Sequence, residues 1–232
     1  MLAVYVFVGV PASLIGIPWA MLRGKFDTMY SWGMTIVALG VRAAGIRVRV
    51  EGRENIEPGV HYIFLSNHVS NLDPPVLLPV LPGMTSVFLK KELMKIPLLG
   101  TAMRLGKYVP VSRGNLREEA QRSVEAAADA LNSGLHITVF PEGTRSPDGH
   151  LLPFKKGAFF LAEETGAPII PIVISGTEKM MPKGTLRITP GEAYVRFLPP
   201  IRPQDSESRE DLMERVRSAM ETELERQRSV EQ

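Results

Sequence analysis

The chain has 232 residues, enough for one sizeable α/β core with little left for a second domain. With 44% hydrophobic and 22% charged residues its composition is that of a folded protein, and a formal net charge of +2 gives no reason to expect a nucleic-acid partner. There is no cysteine, which excludes disulfides, thiolate metal sites and a cysteine nucleophile.

Residues 1–22 carry no charged side chain, and Arg23 and Lys25 follow directly. As a helix this stretch reaches about 33 Å at about 1.5 Å per residue, enough to cross a bilayer core. A signal peptide places its basic residues before the apolar run, the reverse of the order here. Pro11 and Pro18 are expected to break or kink a straight span. A second segment runs from Asp27 to about Ala44, with Asp27 or Thr28 as its cap and Tyr30, Met34, Val37 and Val41 on one face. Two apolar helices joined by a short basic turn read as a membrane-associated hairpin over residues 1–44, the alternative being a helical pair packed on the core. A turn holding Arg23 and Lys25 is costly to carry across a bilayer, so a monotopic hairpin in one leaflet is expected.

From Gly45 the pattern changes. Ile46, Val48 and Val50 alternate with Arg47, Arg49 and Glu51, as in a half-buried strand, whereas residues 62–65 form a continuous apolar run suited to a central one. Further strands are expected at 86–89, 108–111, 136–140, 169–174, 186–188 and 194–198. Helical patterns fall between them: 92–104, interrupted by Pro97; 115–132, capped by Asn115; and 155–165, closed by Gly166. The last, at about 207–228, places Leu212, Val216, Met220 and Leu224 on one stripe. This alternation predicts an α/β fold over residues 45–232: a mixed, largely parallel sheet flanked by helices.

Two runs carry chemistry. Ser66-Asn67-His68-Val69-Ser70-Asn71-Leu72-Asp73 follows a buried strand, where α/β sheets form ligand sites. On a regular helix His68 and Asp73 would lie about 140° apart, so they meet only if the residues between them make a turn, for which Asn71 is suited. Two readings fit. Asp73 with Pro74 makes a helix N-cap beside a partly buried histidine; or the carboxylate fixes the imidazole tautomer and leaves the other nitrogen to take a proton. The second run, Phe140-Pro141-Glu142-Gly143-Thr144-Arg145-Ser146, also ends a buried strand. There Gly143 permits a tight turn, Arg145 offers a planar fork for phosphate, and Glu142 is placed to hold a hydroxyl or brace the histidine loop. A surface turn with a solvated arginine is the plainer alternative. Lys155 and Lys156 open an apolar helix and read either as an attraction for anionic lipid or acyl carrier, or as a solvated turn. His61, His136 and His150 lack a partner at ligand spacing and read as structural or surface residues, with no metal expected.

These two runs resemble the first and third signature blocks of the glycerolipid acyltransferase family, which includes the 1-acyl-sn-glycerol-3-phosphate acyltransferases. Val109-Pro110-Val111-Ser112-Arg113 is similar to the second block and Ile169-Ile170-Pro171-Ile172-Val173 to the fourth. Lys90-Lys91-Glu92-Leu93, followed by Ile96-Pro97 and Gly100, also resembles the family pattern, and the N-terminal pair resembles the membrane-lying element of bacterial members. The resemblance implies acyl transfer from a thioester, acyl-CoA or acyl carrier protein, to the sn-2 hydroxyl of lysophosphatidic acid, without a cofactor. His68 would be the general base and Asp73 its orienting partner. Arg113, Arg145 and one of Lys90 or Lys91 would hold the acceptor phosphate. Asn67, Ser70, Glu142, Gly143 and Thr144 would support the pocket, and backbone amides near residues 171–174 are candidate oxyanion donors. It also implies the cytoplasmic face of the inner membrane. Two departures stand out: Ser112 occupies a position that is acidic in many relatives, and Val69 follows His68 where glycerol-3-phosphate-using members more often have arginine. Another lysophospholipid or lyso-aminolipid acceptor, a thioester hydrolase and a non-catalytic membrane-binding protein are the competing readings.

Overall fold

The computed structural model describes residues 1–111 and 117–230. The N-terminal apolar stretch is helical from Leu2 to Arg23. Within it, α1 (Leu2–Val4) passes into a π-helical turn, Tyr5–Gly9, and then into α2 (Val10–Arg23). Pro11 and Pro18 therefore do not break it. Pro11 sits in the first turn of α2, just after the wider π turn, where a missing N–H costs least. Gly24 ends α2 in the left-handed conformation, and α3 (Phe26–Ala43) turns back along it. Asp27 and Thr28 do not cap α3; they lie inside it, and Lys25 stands at the cap position. The hairpin closes tightly: Trp19 stacks on Trp32 at 5.8 Å between ring centroids. A Cβ on Gly40 would come within 2.3 Å of the Tyr5 ring, so glycine is needed for that approach.

Among the described residues seven strands form one sheet in the order β1-β7-β6-β2-β5-β3-β4. They are β1 (Ile46–Glu51), β2 (Ile63–Ser66), β3 (Thr85–Lys90), β4 (Val109–Val111), β5 (His136–Val139), β6 (Ile169–Ser175) and β7 (Gly191–Phe197). Every neighbouring pair is parallel except β6 with β7. β2 and β5 are buried along their whole length, as expected of central strands covered on both faces. Residues 186–188 form no strand. Leu186 is 86% exposed, and an apolar triplet without a pairing partner cannot satisfy its backbone in a sheet.

One face of the sheet packs against α6 (Arg117–Asn132), α7 (Gly157–Thr165) and α9 (Arg209–Val230). The other packs against α3 and α4 (Asp73–Leu77). The 92–104 segment is not one helix: a 3-10 turn over Lys91–Lys95 precedes α5 (Leu99–Leu105), with Pro97 between them. α6 begins at Arg117, and the proposed cap Asn115 lies outside the described residues. In α9 the stripe Leu212, Val216, Met220 and Leu224 is buried, 0–7% exposed, against β6 and α7. Ser208 starts that helix by accepting the Asp211 N–H, a cap that the sequence pattern Ser208-x-x-Asp211 contains. α3 packs directly on α4, so the apolar hairpin is joined to the element that bears Asp73.

Candidate active site

β2 lies between β5 and β6 and runs parallel to both, with Leu65 opposite Val139 and Ser66 opposite Ile172. Three loops therefore leave the carboxyl edge of the sheet side by side. They begin at residues 67, 140 and 176, and the site is built from their contacts.

The 67–73 loop is fixed largely by its own polar groups. Asn67 is buried and ties it to β6, donating its Nδ2 to the Ile174 carbonyl at 2.9 Å and accepting the Ile174 N–H at 2.7 Å. Asp73 does not cap the following helix. Its fully buried carboxylate turns back into the loop, where Oδ2 accepts the N–H groups of Val69 (2.7 Å) and Ser70 (2.8 Å) and faces His68 Nδ1 at 2.7 Å. Its Oδ1 accepts the Thr177 hydroxyl at 2.5 Å. Four protein donors converge on the carboxylate, the set of partners that a buried acidic group needs. Because Oδ2 already accepts two backbone N–H groups, it accepts from His68 as well, so Nδ1 carries the proton and Nε2 is the ring's acceptor nitrogen. The ring stacks on Phe140 at 4.4 Å between centroids, and 18% of the side chain is exposed. Ser70 completes the loop by donating its hydroxyl to the Met181 carbonyl at 2.8 Å.

The 140–146 loop holds the backbone of the same histidine. Glu142, 4% exposed, accepts the His68 N–H on Oε1 at 2.8 Å and the Leu152 N–H on Oε2 at 2.9 Å. The Ser146 N–H donates to the His68 carbonyl at 2.7 Å. Burial pushes the Glu142 carboxyl above its ordinary 4.5, against the pull of the two N–H groups it accepts. Such an arrangement, an oriented and protein-held imidazole, can serve as a general base.

Residues 47–175, more than half of the chain, match the family model described as Acyltransferase. The chain belongs to the acyltransferase family. It is 35% identical over 189 residues to the 1-acyl-sn-glycerol-3-phosphate acyltransferase of Limnanthes douglasii, covering 82% of this chain and 66% of that one. It is 38% identical over 181 residues to the 1-acyl-sn-glycerol-3-phosphate acyltransferase alpha of Homo sapiens, covering 77% and 64%. The chain thus spans just under two thirds of the length of these relatives. The crystal structure of the 1-acyl-sn-glycerophosphate (LPA) acyltransferase PlsC from Thermotoga maritima is similar throughout, with a TM-score of 0.79 at 30% identity over 98% of this chain and 94% of that one.

The described cationic candidates, Arg145, Lys90 and Lys91, are partly or well exposed and lie outside the buried cluster around Asp73. Arg145 is half-exposed; its carbonyl accepts Lys183 Nζ at 2.9 Å, and its guanidinium has no ion-pair partner among the described residues. Lys90 ends β3 and lies 3.6 Å from Glu92. Alternation along β3 puts Lys90 on the face of Phe88, which packs with the α6 side, while Lys91 opens the 3-10 turn. Arg113 lies outside the described residues, as does Ser112. Gly143 is exposed with φ +66°, and a Cβ there would come within 2.6 Å of the Lys155 side chain. Thr144 is exposed at the tip of the loop. Lys156 pairs with Glu210 of α9 at 2.5 Å. Of the amide positions proposed as oxyanion donors, Pro171 has no N–H and that of Ile174 is held by Asn67. Among the described residues no three His, Asp or Glu side chains come together as a metal-ligand set.

Two participants were not foreseen. Thr177 follows β6 directly after Gly176, two residues past the matched region 47–175, and a lone threonine carries no signal of its role. Phe140 opens the Phe-Pro-Glu-Gly run, and its ring forms the face on which the imidazole rests.

Proposed function

We propose that this acyltransferase moves a fatty acyl group from an acyl thioester to the free sn-2 hydroxyl of 1-acyl-sn-glycerol 3-phosphate, giving phosphatidic acid. The observation that carries the reading is the His68–Asp73 pair, whose Nδ1 side is occupied at 2.7 Å while Nε2 is open. Nε2 takes the hydroxyl proton as the oxygen attacks the thioester carbonyl carbon. The C–O bond forms, the C–S bond breaks, and the thiolate leaves with the proton from the imidazolium. Asp73 favours the charged ring formed in between, and no acyl-enzyme is needed. Arg145, with Arg113 and one of Lys90 or Lys91, receives the acceptor phosphate at the rim. Either acyl-CoA or acyl carrier protein supplies the thioester.

The acceptor is an amphiphile, which favours a site at the membrane surface. The helix Leu2–Arg23 has a mean hydropathy of 1.8 and is little buried, with Phe7 78% and Leu22 86% exposed. Unpartnered apolar side chains on this scale call for lipid. Arg23 and Lys25 at the hairpin turn favour shallow insertion into the cytoplasmic leaflet of the inner membrane over a span. Thioester release measured in mixed micelles with and without lysophosphatidic acid tests the reaction. Release is expected to depend on the acceptor; equal release without it would make the protein a hydrolase. Cysteines placed at Leu2 or Ala3 test the topology, since labelling from the face opposite the catalytic domain would mean a spanning helix.

A further inference from the structure

The hydrogen bonds that fix His68 do not end at Glu142. Its Oε2 accepts the N–H of Leu152, which lies on a loop covering residues 146–153. The inner side of this loop also touches the histidine, through the Ser146 N–H and the His68 carbonyl. Its outer side is gripped by α9. Arg217 donates Nη2 to the Leu151 carbonyl at 3.0 Å and Nη1 to the Leu152 carbonyl at 2.9 Å, and Arg228 donates Nη2 to the Gly149 carbonyl at 2.7 Å. The peptide unit between Leu151 and Leu152 is thus bonded at both ends, its C=O to Arg217 and its N–H to Glu142. A charged donor on the carbonyl polarises the amide and strengthens the N–H as a donor to the carboxylate.

Arg217 is itself held. Its guanidinium lies 5.4 Å from the Phe154 ring centroid and 2.7 Å from Glu221, and its neighbour on the helix, Val216, is fully buried. A planar fork on two successive carbonyls fixes the orientation of a peptide, which a lysine ammonium with one bond does not. α9 also lies outside the matched region 47–175.

We propose that Arg217 is a positioning residue for the catalytic base, acting from the C-terminal helix through the Leu151–Leu152 peptide and Glu142 on the His68 backbone. The proposal rests on the reading of His68 as the base. Its test uses the full chain in detergent micelles with Arg217→Met, Arg217→Lys and, as a control, Arg215→Met. Arg215 lies on the same helix but bonds Glu207 at 2.6 Å and the Arg202 carbonyl, away from the site. For Arg217→Met we expect kcat to fall roughly 10- to 100-fold, as for a base displaced by a fraction of an ångström, with KM for lysophosphatidic acid little changed. Arg217→Lys should recover part of the loss, and Arg215→Met should lower thermal stability without lowering kcat. The second readout needs no substrate: the Hε1 resonance of His68, assigned by its loss in His68→Gln, should shift or broaden in both Arg217 variants and stay in place in Arg215→Met. Unchanged His68 resonances in the folded Arg217 variants would overturn the proposal, and if the Met variant does not fold, the Lys variant decides. A wild-type protein that forms no phosphatidic acid would sink the reaction, while the resonance would still decide the positioning.

Discussion

Two histidines lie at opposite ends of the central strands, in opposite polar settings. His68 stands beyond the carboxyl end of β2, with Asp73 on Nδ1 at 2.7 Å and 18% of its side chain exposed. His136 stands at the amino end of β5, 8% exposed, with Nδ1 accepting the Tyr62 N–H at 3.1 Å and its ring stacked on that of Tyr62 at 6.1 Å. Among the described residues no carboxylate bonds to it. Burial, and then the neighbouring His61, pull its pKa from 6.5 down to about 4. The side chain is the same, but at the carboxyl end parallel strands release loops whose free N–H groups can hold a buried anion. At the amino end the imidazole serves instead as a neutral acceptor for a backbone amide that would otherwise be unpaired.

The largest expected effect would break that comparison if it failed. His68→Ala should lower acyl transfer roughly 10²- to 10⁴-fold, and it should lower the melting temperature as well, because it removes the ring stacked on Phe140 and one of the four donors to buried Asp73. Asp73→Asn should be severe in both respects. An amide cannot accept on both sides, so the Thr177 hydroxyl or the Val69 and Ser70 amides lose their partner, at about 1–3 kcal/mol each. Phosphatidic acid formation and thermal melting of the two variants check this. Near wild-type turnover in His68→Ala would end the assignment of the base.

The sequence separates these two histidines only in part, and the reasons are local. The apolar runs at 62–65 and 136–140 are readable as central strands because both faces are covered, so the loops after them could be located. Asp73-Pro74 reads as a cap, yet the carboxylate turns backward, because the Val69 and Ser70 N–H groups and the imidazole offer it more than the first turn of a short helix. Thr177, 104 residues away from Asp73 in the chain, meets it only because β6 lies beside β2. No local pattern encodes such a contact. The same holds for Arg217, which by periodicity is only a polar position on an amphipathic helix.

A smaller effect concerns His136 and acid. Its folded value of about 4 lies below its ordinary 6.5, so between those values the unfolded chain binds a proton that the fold refuses. Its contribution is therefore full above about pH 6.5 and is lost as pH falls toward 4, on the order of 2 kcal/mol after allowance for solvent screening. Denaturant midpoints across that range should fall less steeply in His136→Gln than in the wild type. Identical slopes would mean that another group governs acid unfolding.

The smallest effect sharpens the carboxyl end itself, by asking whether its rim recognises a phosphate. Arg145 is half-exposed and unpaired among the described side chains, so its charge is available but screened. A charge-assisted bond buried from water is worth about 1.5–3 kcal/mol, whereas an exposed ion pair gives at most about 1 kcal/mol. Arg145 belongs nearer the lower figure until a lipid covers it. Arg145→Ala should therefore reduce kcat/KM for lysophosphatidic acid by about 5- to 10-fold, mainly through KM, and the loss should shrink as salt is raised. An uncharged monoacylglycerol, which has the same hydroxyl chemistry but no phosphate, should be used about as poorly by the variant as by the wild type. Equal proportional losses on both acceptors would place Arg145 in the structure of the loop, through the carbonyl that accepts Lys183, and not in recognition of the acceptor.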